Sequence, residues 1–151
     1  MHQVTLELAM EIIDGALAKG LDIDCDPLTV AVLDAGGHLV AFKRQNESGI
    51  LRAQIAIGKA YGALGFGVGG RALREKNPKF MAGVISTAPD GMVPAPGGVL
   101  IRDDENAVIG AVGVSGDTSD KDEFCAIEGV KAAGLTSDPS DPAPDWASSK
   151  L

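Results

Sequence analysis

Pro96-Gly97-Gly98-Val99-Leu100-Ile101-Arg102-Asp103-Asp104-Glu105-Asn106-Ala107-Val108-Ile109-Gly110-Ala111-Val112-Gly113-Val114-Ser115-Gly116-Asp117-Thr118-Ser119-Asp120-Lys121-Asp122-Glu123 is the stretch that sets the architecture. A glycine pair leads into a short apolar strand, Val99 to Ile101. The polar turn Asp103–Asn106 follows, and a second apolar run, Val108 to Val114, returns beside the first. Two β-branched runs joined by a short polar turn read as a hairpin. The loop at Ser115 and Gly116 opens a helix, Ser119 to Ala133, whose first turn is loaded with acids. That loop gathers backbone N–H groups, a hydroxyl and carboxylates, so a site is expected there.

Upstream, Leu28 to Leu33 is a short, mostly β-branched run with Thr29, Val30 and Val32, and Asp34-Ala35-Gly36-Gly37 supplies turn chemistry. His38 to Arg44 returns as its partner, a first hairpin. Thr5 to Lys19 has Leu8, Ile12, Ile13, Ala16 and Leu17 at helical spacing, with Gly20 as the expected C-cap. Ile50 to Leu64 reads as a helix apolar almost all round, its strongly polar residues being Arg52, Gln54 and Lys59. Such a helix is buried on more than one side. One face can cover the sheet and the other meet a second subunit, with Gly58, Gly62 and Gly65 admitting a close backbone. Short helical pieces are expected over Val68 to Asn77 and Phe80 to Ser86, then a proline-bearing loop, Ala88 to Pro96. The order helix, hairpin, helix, short helices, hairpin, helix is α+β, an antiparallel sheet with helices packed on it. Residues 1–135 read as one domain. Residues 136–151, rich in Ser, Asp and Pro, read as a loosely held tail, with Trp146 docked on the body or on a neighbour.

The 151 residues are one domain's worth, enough to bury about 70% of the surface of the unfolded chain. Aromatic residues make up only 4%; Ala and Gly carry much of the apolar count, so elements can approach closely. A wide aromatic-lined pocket is then not to be had from one copy. A formal charge of −8 without a Lys/Arg stripe argues against nucleic acid. Cys25 and Cys125 are far apart and lack CxxC spacing; they suggest a reducing compartment or two buried thiols, with a disulfide as the lesser alternative. With no signal-peptide pattern and no apolar run near the ~20 residues a bilayer needs, a cytoplasmic, soluble protein is expected.

Several residues could carry chemistry. Asp117, Asp120, Asp122 and Glu123 supply negative charge to a helix dipole, and Thr118 or Ser119 can cap it, so a well-capped helix start is the plain reading. The functional one uses Glu123 or Asp122 as acid or base. A metal is not expected, since these acids lack calcium-loop spacing and a neighbouring His. Gly97 and Gly98 either admit a ligand to the backbone or simply start a strand. Lys59 either pairs with an acid, snorkels, or meets a ligand carboxylate. Tyr61 and Phe66 could wall a pocket or pack in the core. His2 is at a frayed end, and His38 is the candidate base or iron ligand.

Val30 to Phe42, Ile55 to Tyr61, Pro96-Gly97-Gly98, Ile101-Arg102-Asp103 and Gly110 to Gly116 with Asp122-Glu123 beyond resemble, in order, the segments of the GlcG/HbpS family, over about Val4 to Ala133. Similarity extends to the C-terminal domain of PduO-type proteins. The resemblance implies about five antiparallel strands flanked by helices, a homo-oligomer of two or more chains, and a pocket at or near the subunit interface. It implies a small-molecule ligand or substrate, with haem as one candidate cofactor, and a role in catabolism. Some members resemble haem binders; others look like lyases on 4-hydroxylaminobenzoate. This leaves three expectations: an oligomeric small-molecule binder, a cofactor-independent lyase or isomerase on a small carboxylate or aromatic metabolite, or a non-catalytic partner of a catabolic enzyme. In the second, Lys59 or Arg44 would hold the carboxylate and Glu123 or His38 would move the proton. Binding contacts are expected from Arg44, Lys59, Tyr61, Phe66, Met92, Gly97, Gly98, Ser115 and Gly116. Met92 stands in a proline-rich stretch, Thr87 to Pro94, that departs from the family pattern and would border the pocket.

Overall fold

The computed structural model describes residues 3–151, which places His2 outside the described residues. Along them run α1 (Leu6–Asp22), β1 (Thr29–Asp34), β2 (Leu39–Arg44), α2 (Arg52–Phe66), α3 (Gly70–Arg74), α4 (Pro78–Thr87), β3 (Gly98–Arg102), β4 (Val108–Ser115), α5 (Ser119–Ala132) and β5 (Thr136–Asp138). The five strands form one antiparallel sheet in the order β2-β1-β4-β3-β5. The two hairpins lie side by side, joined where Val30 faces Val114 and Val32 faces Val112. None of the described helices is long and apolar enough to cross a membrane.

The period-two pattern divides the strand side chains between two faces. Val30, Val32, Val99, Ile101, Val112 and Val114 point into a core shared with Ile12 and Ile13 of α1 and Ile127 and Val130 of α5. Leu33, Leu100 and Ala111 point the other way, onto Ala60 and Ala63 of α2. The layers are therefore α1 and α5, sheet, α2. The second layer contact is unusually close. A Cβ at Gly113 would run into the Ala56 carbonyl, and one at Gly98 into the Lys59 carbonyl.

Three expectations are corrected. Gly20 does not end α1, which runs on to Asp22 with Ile23 as its cap. It is a packing glycine, since a Cβ there would lie 2.6 Å from Leu28 Cδ1. Gly58 and Gly62 do admit a close backbone, but the one they meet is the chain's own rather than a second subunit's. Their space is taken by the chain's own proline-rich loop, where Val93 and Met92 would lie 2.9 and 3.0 Å from added Cβ atoms. The uncovered apolar part of this region is instead Ile50 and Leu51, 80% and 68% exposed, just before α2. Finally, the stretch read as a loose tail supplies β5. Ser137 pairs with Ile101, and Arg102 Nη2 meets Asp138 Oδ2 at 3.0 Å. A three-residue Thr-Ser-Asp strand carries no apolar alternation, because it is held by its backbone and one ion pair. Trp146 does dock on the body, its ring edge-on to Phe124 with centroids 4.9 Å apart.

The close sheet-to-α2 contact makes a stability prediction. Gly113→Ala should lower the free energy of unfolding by about 3 kcal/mol, an overpacking cost at the upper end of the usual range. Gly65→Ala, with open space around it, should instead be neutral or raise it by up to about 1 kcal/mol. Urea denaturation of the two variants measures both.

Candidate functional site

Lys59 stands on α2 and Asp122 on α5, on opposite faces of the sheet, yet their side chains meet. The lysine passes the end of the sheet where β3 begins and β4 ends. Its Nζ donates to the Val114 carbonyl at 3.0 Å and to Asp122 Oδ2 at 3.1 Å. Asp122 Oδ1 accepts the Asp117 N–H at 2.9 Å. Gly97 clears the passage. Its φ of +116° is glycine territory, and a Cβ would sit 2.9 Å from Lys59 Nζ. The two glycines therefore accommodate the lysine and its helix.

Burial is the first cause of the shifts in this pair. It lowers the Lys59 pKa and raises that of Asp122, favouring the uncharged form of each, and their mutual attraction opposes it. Their side chains are 4% and 1% exposed. Removing either partner would strand the other in the interior.

A second pairing lies beside the first. Arg71 of α3 grips Glu123 in a two-pronged contact, Nε donating to Oε2 at 3.1 Å and Nη2 to Oε1. Arg71 Nη2 also donates to the Asp141 carbonyl at 2.7 Å. Glu123 has no exposed surface; burial pushes its carboxyl above the ordinary carboxylate range, and Arg71 works against that push. The hydrogen bond to Glu123 in turn raises the Arg71 pKa. Arg74 Nη1 stands 3.5 Å from Asp120 Oδ1, both atoms buried without a close hydrogen bond. Thr118 caps α5, accepting the Lys121 N–H at 3.4 Å, so the acids are a capped helix start and an ion-pair row together.

The outer sides of Arg71 and Arg74 open onto a hollow of about 410 Å³ between α3 and the end of β5. Val68, Gly69, Ala72 and Pro139 give it apolar walls; Glu75 and Asp138 stand at its edge. The charges nearly balance, because each arginine already faces a carboxylate. What lines the hollow is a pair of arginines among small apolar residues.

The residues singled out from sequence do not form one site. Lys59, Gly97, Gly98 and Ser115 come together around the buried lysine, with Glu123 close by on α5. Ser115 is fully buried, and its Oγ accepts from Arg52 at 3.1 Å. Gly116 packs under Leu28. Met92 packs with Leu73 and Met81, and Phe66 lies half-buried against that cluster beneath the Lys76 ammonium. Tyr61 borders a hollow of about 170 Å³ beside Gly36 and Gly37. His38 is 80% exposed, its Nδ1 3.1 Å from Asp34 Oδ1. Arg44 borders a separate hollow of about 500 Å³. The residues missed from sequence are Arg71, Arg74 and Pro139; Asp120 reads there only as part of the acidic helix start. The i, i+3 arginines of Gly-Gly-Arg-Ala-Leu-Arg were the available signal.

The profile of the family described as haem degrading protein HbpS-like matches residues 4–131. The chain belongs to the HbpS-like family. The uncharacterized 15.0 kDa protein of the dhaT-dhaS intergenic region of Citrobacter freundii is 29% identical over 125 residues, 82% of this chain and 87% of that protein. The fold is shared with a PduOC–haem complex, at a TM-score of 0.79 and 19% identity over 88% of this chain and 96% of that one. It is shared with the Klebsiella pneumoniae protein ORFY, at 0.77 and 24% over 89% and 92%. HbpS itself aligns at 0.75 and 23% over 87% and 90%. The α+β fold and five-stranded antiparallel sheet are those of these HbpS-like proteins.

The Arg71–Glu123 pair makes the next prediction. Arg71→Ala leaves a buried carboxyl without its partner and should cost about 3 kcal/mol of stability near neutrality. Glu123's folded pKa is raised by burial, so its favourable contribution is complete below its unfolded value and fades as pH rises through the folded one. The deficit of Arg71→Ala should therefore shrink toward pH 5 and grow toward pH 8. Urea unfolding of both proteins across that range measures it.

Proposed function

We propose that this chain is a small-molecule binding protein whose ligand lies in the hollow between α3 and β5. One observation carries the reading: Arg71 and Arg74 line an apolar-walled space, while the carboxylates they face, Glu123 and Asp120, are buried. A ligand with a compact apolar body and one carboxylate or carbonyl acceptor matches it. The volume falls within the ~300–1,000 Å³ of ordinary ligand sites. Membership of the HbpS-like family and the haem complex among the structural relatives support binding as the activity.

Haem itself needs a lone-pair donor for its iron. The walls of this hollow carry no His, Cys, Met or Tyr, so its residues do not fit an iron-ligated haem. A second reading puts haem at His38 instead. There Asp34 holds Nδ1, the outer-shell arrangement common for ligating histidines, and leaves Nε2 for a ligand. The adjoining hollow of about 170 Å³ is small, so a second subunit would have to complete that site. Leu39 and Phe42 of β2, with Ile50 and Leu51, are the exposed apolar side chains we assign to such a homo-oligomeric contact. A lyase reading asks Glu123 to exchange a proton with substrate. Its burial and its two-pronged hold by Arg71 favour a positioning role instead.

Benzoate and acetophenone serve as probes for the first reading, by calorimetric titration. At least one should bind, and Arg74→Met should weaken it about tenfold or more while the circular dichroism stays native. Binding that is unchanged in Arg74→Met, or no binding of either probe, would remove the hollow as the site. Haemin tests the second reading: a Soret band lost in His38→Ala supports it, and a band indifferent to that change rules it out.

A further inference from the structure

Cys25 and Cys125 are a hundred residues apart in sequence, yet their sulfurs stand 3.9 Å from each other. Both are free thiols. Cys125 is fixed on the second turn of α5 with no exposed surface. Cys25 sits in the connection between α1 and β1 and is only half-buried. It borders the hollow of about 500 Å³ formed with Leu21, Pro27, Arg44 and Gln45, so a small reagent can reach one sulfur and not the other. The connection is held in place. The Cys25 N–H donates to the Gly20 carbonyl at 2.8 Å, and the Asp26 N–H to Asp117 Oδ2 at 2.8 Å.

We propose that Cys25 and Cys125 form a hydroperoxide-responsive thiol pair, with Cys25 the site of modification and Cys125 the thiol that resolves it. The Cys25 sulfur attacks the peroxide, the O–O bond breaks, and water or an alcohol leaves, giving a sulfenic acid. The Cys125 sulfur then attacks the Cys25 sulfur and displaces water, giving an intramolecular disulfide. In all, two thiols lose two electrons and two protons, and the peroxide accepts them. Disulfide formation needs the sulfurs to close to about 2.05 Å, a shift of about 2 Å. That shift falls to the loop cysteine rather than the helix.

The asymmetry of the pair suits this order of events. The contact between the two sulfurs lowers the Cys25 pKa, while that contact and burial raise the Cys125 pKa. The thiolate therefore forms on the reachable sulfur. The bond would tie the α1–β1 connection to α5 two residues beyond Glu123. Oxidation should then show in the stability of the helix that holds the ion-pair row.

The test is treatment of the reduced, full chain with hydrogen peroxide under native conditions. Intact mass should fall by about 2 Da, both titratable thiols should vanish, and dithiothreitol should restore them. The thermal midpoint of the oxidised protein should rise by several degrees, since the closed loop is long. Cys125→Ser should instead trap a sulfenic acid on Cys25 that dimedone labels. Cys25→Ser should leave Cys125 as an unreacted thiol until the protein is denatured. The proposal is overturned if both thiols survive peroxide that fully oxidises glutathione alongside. It is equally overturned if only intermolecular disulfides form, or if Cys125 is labelled first.

Discussion

Three acids at the start of α5 each meet a cation brought by another element, and the placement of the surrounding parts depends on that row. Asp122 meets Lys59 of α2; Glu123 and Asp120 meet Arg71 and Arg74 of α3. A buried ion pair gains little by itself, since desolvation offsets much of the attraction. Its consequence here is geometric. Lys59 and Asp122 belong to layers on opposite sides of the sheet, so their bond fixes how α2, the sheet end and α5 register. The glycines follow from it. Gly97 leaves room for the ammonium, while Gly98 and Gly113 let the helix that carries it lie against the strands.

The same row decides what faces the hollow. An arginine that spends one edge on a buried carboxylate is held in orientation, and Arg71 and Arg74 both line the hollow. Binding would then come from directed donors, because Glu123, Asp120, Asp138 and Glu75 offset the positive charge nearby. The site should discriminate by acceptor geometry and apolar shape, and only weakly by net charge.

Much of the fold was legible because two-residue alternation is a strong signal. Val30, Val32, Val112 and Val114 name the strands and the face they bury, and the polar Asp103–Asn106 turn names the second hairpin. Strand β5 was not legible, since Thr136-Ser137-Asp138 has no apolar pattern and is recruited by the free edge of β3. The site was read less well than the fold. Lys59, Gly97, Gly98 and Ser115 do converge, but around one another. Arg71 and Arg74 lie in a five-residue helix too short for periodicity to define, and nothing local in the sequence says that they reach α5. Contacts that join elements 50 or more residues apart leave no trace in spacing.

Low aromatic content and high Ala and Gly content had suggested that a cavity would need a second chain. The hollow between α3 and β5 answers part of that argument from within one chain. Its walls are small residues, Val68, Gly69, Ala72 and Pro139, and its polar features are Arg71 and Arg74 of α3 with Glu75 and Asp138 at the edge. Small residues therefore serve two ends in this protein. Within the layers they bring backbone against backbone, and at the edge of α3 they leave space unfilled. Gly69 belongs to both, since a Cβ there would lie 2.5 Å from Pro139 Cδ. Any larger residue at that position would push β5 from its seat and reshape the hollow at once, which couples the edge of the sheet to the site beside it.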